Sequence, residues 1–225
     1  MDLILQFIDI FIHLDVYLNQ IVSDYGLLAY LFLFFVIFME TGFVVTPFLP
    51  GDSLLFAAGA LAATTVLDVK VMFPLLFIAA ALGDTVNYTI GHFIGPKVFS
   101  GNVRFLKKEY LDKTQAFYEK HGGKTIFLAR FMPIIRTFAP FVAGVGKMRY
   151  GYFITYNIVG ALVWTSLFIF GGYYFGNLKF VADNFSLVIL AIIIISFMPP
   201  VIDFLKERKA AKNAPEQEQS NPAVE

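Results

Sequence analysis

Cysteine is absent from the chain, histidine occurs three times, and no lysine or arginine appears in the first 69 residues. Without thiols there is no disulfide framework, zinc ribbon, iron–sulfur ligation or thiol catalysis, while the redox compartment stays open. His13, His92 and His121 are the only imidazoles available to chemistry. A net field is missing too. The 17 basic and 17 acidic residues cancel, and no basic tract is interleaved with aromatics as a nucleic-acid groove requires. Nucleic acid is therefore not expected as a partner. No basic segment precedes the first apolar stretch and no small-residue cleavage site follows it, so the N-terminus is expected to be retained.

Apolar residues fill the chain instead. Of 225 residues, 58% are hydrophobic and 17% aromatic, with a mean hydropathy of +0.70. A soluble core of this length cannot hide that much apolar surface, so lipid is the expected solvent for much of it. The fold class that follows is an all-α polytopic membrane protein.

Between Met1 and Val22 the polar residues Asp2, Gln6, Asp9, His13 and Gln20 recur at helical spacing opposite Leu, Ile and Phe. An interfacial helix suits this pattern. A spanning helix is the alternative, but a central aspartate then costs about 2.5 to 3.5 kcal/mol on the insertion scale. Residues 26 to 39 are nearly all apolar, and Glu40, Gly42, Thr46, Pro47, Pro50, Gly51, Asp52 and Ser53 arrive before a second apolar stretch begins at Leu54. Neither half reaches across ~30 Å of hydrocarbon alone. Broken backbone at membrane depth survives where protein or water satisfies it, so a re-entrant hairpin is expected, with a bent single span as the alternative.

A full-length span follows over residues 71 to 96, with Asp84, Asn87, Tyr88, Gly91 and Gly95 on neighbouring turns of one face. Lys97 to Lys124 is the most basic stretch, read as a cytoplasmic amphipathic helix and connection. Residues 125 to 146 form a second broken apolar block, interrupted by Arg130, Pro133, Arg136, Thr137 and Pro140. Further spans are expected over 152 to 176 and 185 to 205, before a polar, disordered tail over 206 to 225. The basic asymmetry places the 97 to 124 loop and the C-terminus in the cytoplasm.

The second half also repeats the first. Phe48-Leu49-Pro50 aligns with Phe131-Met132-Pro133, Phe56-Ala57-Ala58-Gly59 with Phe141-Val142-Ala143-Gly144, and Gly91-x-x-x-Gly95 with Gly172-x-x-x-Gly176. Repeat 1 covers about residues 1 to 97 and repeat 2 about 98 to 178 of a single transmembrane domain ending near 205. Each repeat comprises an interfacial helix, a broken hairpin and a span, and the odd number of spans inverts the second against the first. Inverted-repeat transporters hold substrate at the repeat interface. Chance similarity among abundant Phe, Ala and Gly is the competing explanation.

The hairpins differ in charge. Glu40 and Asp52 lie in the first, Arg130 and Arg136 in the second, so their tips are expected to meet around a shared cavity. Guanidinium forks suit an anionic phosphate head group. Half-helices beginning near Asp52-Ser53 and Thr137 would add backbone amides. Burial and neighbouring arginines pull a carboxyl in opposite directions, which makes Glu40 and Asp52, and more weakly Asp84, candidate proton carriers. Static ion pairs bracing the hairpins are the plainer alternative. Ser53, Asn87, Tyr88 and Thr137 form a supporting polar network or simple helix packing, and the Gly-x-x-x-Gly pairs read as helix-contact surfaces. No metal site or cofactor is expected.

Taken together, Glu40-Thr41-Gly42, Thr46-Pro47-Phe48-Leu49-Pro50-Gly51-Asp52-Ser53-Leu54, Gly83-Asp84-x-x-Asn87-Tyr88-x-x-Gly91 and Ala129-Arg130-Phe131-x-Pro133-x-x-Arg136-Thr137-x-x-Pro140-x-x-Ala143-Gly144 resemble the DedA family of the VTT-domain superfamily. The resemblance covers roughly residues 20 to 205. It implies a bacterial inner-membrane protein with paired re-entrant hairpins, in a group that includes lipid scramblases of the endoplasmic reticulum. It further implies return of undecaprenyl phosphate to the cytoplasmic leaflet, or phospholipid movement, in support of envelope integrity and dependent on proton motive force. The family's essential acids and arginines fall on Glu40, Asp52, Arg130 and Arg136.

Three functions compete on this reading. The first is a non-enzymatic transporter whose partners are membrane lipids and protons, with a homo-oligomer left open. The second is a proton-coupled carrier of small ions or drugs, against which two arginines near the site argue for any cationic substrate. The third is a membrane lipid phosphatase, which generally needs a histidine nucleophile or a metal. None of the three histidines neighbours the arginine hairpin in sequence.

Overall fold

The structure, a computed structural model, describes residues 14–43, 51–99, 118, 121–185, 187–192, 194–195 and 198. The expectations for Asp2, Gln6, Asp9, His13, Thr46, Pro47, Pro50, most of the basic 97 to 124 stretch and the 206 to 225 tail lie outside the described residues. The regular structure of those described is helical, with no strand among them.

Helix α1, Leu14–Tyr25, ends at Gly26. The positive φ of 54° at Gly26 closes the helix, with its N–H on the Val22 carbonyl at 2.9 Å. Helices α2, Leu28–Gly42, and α3, Gly51–Ala62, flank the first break. At 15 and 12 residues they are about 22 and 18 Å long, each short of the hydrocarbon thickness. Helix α4, Val69–Phe99, is started by Asp68, whose carboxylate accepts the Lys70 N–H at 2.8 Å.

The second broken block is α5, Thr125–Ala129, and α6, Pro133–Val145. Proline opens α6 because the first turn has no use for its missing N–H, and Met132 before it is extended (φ −126°, ψ 102°) as a residue preceding proline prefers. Helix α6 starts at Pro133 and not at Thr137 as expected, so Thr137 lies in the second turn and contributes no end-of-helix amide. Pro140 inside α6 leaves the Arg136 carbonyl without its usual helical donor. Helix α7, Tyr150–Phe175, and the short α8, Lys179–Asp183, complete the named helices. Helical residues continue beyond 185, where Phe185 packs its ring 6.2 Å from that of Phe56.

Val69–Ile94 and Tyr150–Phe175 are long and apolar enough to cross a membrane. Their outward positions are apolar as well: Ile78, Leu82, Val159 and Leu167 are exposed, and on α2 so are Leu31, Phe32 and Phe35. Water-facing surfaces rarely carry such contiguous patches.

Glycine sets how these helices meet. Gly59 of α3 lies against the Ile169 carbonyl of α7, and Gly172 of α7 against the Phe56 carbonyl. Gly144 of α6 lies against the Tyr88 carbonyl of α4, and Gly91 of α4 against the Phe141 carbonyl. A Cβ at any of the four would enter the partner's backbone. The two contacts use the residues that the internal alignment pairs: Phe56 with Phe141, Gly59 with Gly144, and Gly172 with Gly91. Helices α3 and α6 therefore each pack on the long helix of the other sequence unit. Gly83 brings α4 close to α2: a Cβ on it would run into Thr41 Oγ1 and lie 2.9 Å from the Phe38 carbonyl oxygen, while one on Gly42 would make ordinary contact with Gly83.

Candidate functional site

Where the two breaks face each other, the fold buries five charged side chains. Glu40 sits in the last turn of α2, Asp52 in the first turn of α3, Asp84 in mid-α4, Arg130 between α5 and α6, and Arg136 in α6. All are buried, Glu40 to 1% and Arg130 to 2% exposure, among α7 residues that include Asn157 and Trp164.

Arg136 forks across the first break. Its Nη2 donates to Glu40 Oε1, and its Nη1 donates to Asp52 Oδ1 at 2.8 Å. One guanidinium thus ties the end of α2 to the start of α3. Gly51 is required beside it, because a Cβ there would collide with the Glu40 carboxylate that rests on the first turn of α3. The partial positive charge of a helix N-terminus favours a carboxylate in that position.

Arg130 turns the other way. Its Nη2 donates to Asp84 Oδ2 at 2.5 Å and to Asn157 Oδ1 at 2.6 Å, and its side chain passes over Gly160, where a Cβ would lie 3.0 Å from its Cδ. The hairpin acids are not its partners, so Asp84 belongs to the cluster on equal terms with Glu40 and Asp52. Trp164 joins the two pairs: its Nε1 donates to Asp52 Oδ1 at 2.7 Å, and the Arg136 and Arg130 guanidinium carbons lie 5.2 and 5.8 Å from its ring centre. Among the described residues, Arg130 Nε and Nη1 and Arg136 Nε are buried donors without a hydrogen-bond acceptor, and Glu40 Oε2 and Ser53 Oγ are buried without a partner. Buried groups of this kind call for an explanation beyond packing.

The other expected residues divide. Asn87 donates from Nδ2 to the Thr41 carbonyl at 3.2 Å and the Thr137 carbonyl at 2.8 Å, bridging α2 and α6. Ser53 and Thr137 are buried in the same region. Tyr88 points elsewhere, its hydroxyl donating to the Met148 carbonyl and its ring stacked on Phe153 at 4.4 Å and on His92 at 6.1 Å. It fastens the α6–α7 connection to α4.

Asn157, Gly160 and Trp164 went unnoticed in the sequence. They are spaced i, i+3 and i+7, on one face of α7, where an asparagine inside an apolar span is the signal that marks a protein-facing stripe.

A helical protein with two apolar spans, glycine-tight helix crossings and a buried charge cluster at paired helix breaks is a polytopic membrane protein. Residues 49–174 match the VTT domain, and the chain belongs to that family, the DedA family. It is 55% identical over 217 residues to Protein DedA of Escherichia coli (strain K12), covering 95% of this chain and 99% of that protein. A membrane protein of Mycobacterium tuberculosis (strain CDC 1551 / Oshkosh) is 43% identical over 190 residues, 83% of this chain and 82% of its own. The inner membrane protein YghB of Escherichia coli (strain K12) is 32% identical over 154 residues, 68% and 70% respectively. No solved structure matches the chain.

Proposed function

We propose that this protein is a transporter, not an enzyme, and that it carries a phosphate-bearing lipid between leaflets of a bacterial inner membrane, with undecaprenyl phosphate as the leading candidate and phospholipids next. The observation that carries this reading is the set of unbonded N–H donors on Arg130 and Arg136, buried between two helix breaks. A phosphate presents several acceptor oxygens and suits planar forks from two sides. The lipid tail remains in the bilayer while the head group occupies the cluster.

Three buried carboxylates face two guanidinium groups, so an entering anion requires acids to take up protons or to change partners. Proton motive force is the natural drive for such a cycle. The crossed packing of α3 and α6 on the other unit's span supports an inverted repeat with re-entrant hairpins, as does the shortness of α2, α3 and α6. The basic asymmetry supports a cytoplasmic C-terminus.

Proteoliposomes carrying either undecaprenyl phosphate or phosphatidylethanolamine, assayed with leaflet resolution and an imposed pH gradient, test the reading. Faster movement of the phosphate monoester is expected. Release of inorganic phosphate would favour a phosphatase. The excess carboxylate also suits a carrier of small cations, and gradient-driven cation uptake without lipid movement would favour that function.

A further inference from the structure

The chain contains one tryptophan, and it lies inside the charged cluster. Packing alone would be served there by phenylalanine or leucine, like the neighbouring apolar positions of α7. The indole does two things those side chains cannot. Its N–H bonds Asp52 Oδ1, the same oxygen that accepts Arg136 Nη1, and its ring face lies under both guanidinium groups.

We propose that Trp164 is the positioning residue of the phosphate-lipid site, an inference that rests on the transport reading above. The indole N–H takes up part of the Asp52 charge, which loosens the hold of that carboxylate on Arg136. Arg136 can then exchange Asp52 for a phosphate oxygen. The ring face, attractive to cations, carries the two guanidinium groups while they change partners. Trp164 and Asp52 also share one packed unit, because α3 and α7 meet through Gly59 and Gly172. Arg136 approaches that unit from α6. The indole therefore sits at the seam that an anion has to enter.

The direction of the effect follows from the shared oxygen. Without the indole N–H, Asp52 leans more heavily on Arg136, and an incoming phosphate competes with a stronger internal carboxylate. Trp164→Phe should weaken capture of a radiolabelled short-chain polyprenyl phosphate by about tenfold or more, the loss expected for a hydrogen bond to a charged group. Asp52→Asn in the same background removes the competing charge. The double variant should therefore bind within about threefold of Asp52→Asn alone, a non-additive result that a purely structural tryptophan would not give.

A second measurement uses the unsubstituted chain, whose intrinsic tryptophan emission arises from Trp164 alone. Titration with the polyprenyl phosphate should shift that emission saturably, at the concentration that saturates binding, while the unphosphorylated polyprenol leaves it unchanged. Equal dissociation constants for Trp164→Phe and the unsubstituted protein would overturn the inference. So would emission indifferent to a bound phosphate lipid, and this result decides the matter if the phenylalanine variant fails to fold. Failure of the unsubstituted chain to capture the phosphate lipid at all would overturn the transport reading and this inference with it.

Discussion

Removing Arg136 tests whether the first break is held by charge. Arg136→Ala leaves Glu40 and Asp52 buried on either side of the break without the guanidinium that joins them. Breaking a buried ion pair by removing one partner costs about 3 to 5 kcal/mol. In a chain of this size each kcal/mol corresponds to about 2 to 4 °C, so the melting temperature should fall by roughly 6 to 20 °C. Arg136→Lys should cost less, about 1.5 to 3 kcal/mol, because a point ammonium replaces one arm of the fork and not both. Combining Arg136→Met with Glu40→Met and Asp52→Leu removes the three charges of the first break while Asp84 and Arg130 stay paired, and apolar replacement of a buried ion set is often neutral for folding. This triple variant should recover most of the lost stability yet move no lipid. Heating detergent-extracted protein and measuring the surviving monodisperse fraction, beside leaflet-resolved transport, provides both readouts. An Arg136→Ala variant that melts with the unsubstituted protein would refute the clamp, and a triple variant that transports normally would remove Glu40, Asp52 and Arg136 from the mechanism.

Asp52→Asn should keep phosphate-lipid binding and lose gradient-driven movement, while Glu40→Gln should chiefly lower stability; identical behaviour of the two in melting and transport assays would contradict the inequivalence argued below. Asn157→Leu deprives Arg130 of an acceptor and the Ala81 carbonyl of a donor at 2.9 Å, so extracted protein should lose about 1.5 to 3 kcal/mol, read as a fall in melting temperature. Gly144→Leu and Gly59→Leu should fail to yield monodisperse protein, because the side chain would enter a neighbouring backbone, whereas Gly151→Ala, with open space around it, should behave normally. Single cysteines introduced at Lys108 and Ala214 should escape an impermeant thiol reagent in intact cells, and labelling of either would overturn the cytoplasmic assignment of that position.

The helix breaks were legible because proline and glycine act through the backbone, a local property. Pro133 and Gly51 mark where helices restart and Arg130 where one stops, whereas Pro140, expected as a break, lies inside α6, which continues through it; the long spans lie within a few residues of their expected ends. Glu40, Asp52, Arg130 and Arg136 stood out because charge in an apolar run is costly. Partner choice was not legible. Whether Arg130 meets Asp52 or Asp84 depends on how α6 packs on α4, and that is fixed by Gly91 and Gly144, whose contact is a property of two distant segments. Asn157 and Trp164 were hidden for a related reason: each is ordinary in a membrane helix until the opposite surface is known to be charged.

The same packing makes Glu40 and Asp52 unequal. Helices α2, α4 and α6 are joined by Gly42 on Gly83, by Gly91 and Gly144, and by Asn87 reaching both Thr41 and Thr137. That group carries Glu40, Asp84 and Arg136, with Arg130 in the connection leading into α6, and its charges cancel. Helices α3 and α7 are joined by Gly59 and Gly172 and by the Trp164 bond to Asp52. Among its buried residues the second group carries Asp52 as its charged side chain. The Arg136–Asp52 bridge and the Arg130–Asn157 bond cross from one group to the other. Any movement that opens the cluster along this seam separates Asp52 from its counter-charge but leaves Glu40 with Arg136. An uncompensated buried carboxylate is the costlier outcome; a proton taken up by Asp52 relieves it, while an entering anion can take its place on Arg136. On the transport reading proposed above, coupling is expected at Asp52, with Glu40 keeping Arg136 in place while that exchange occurs.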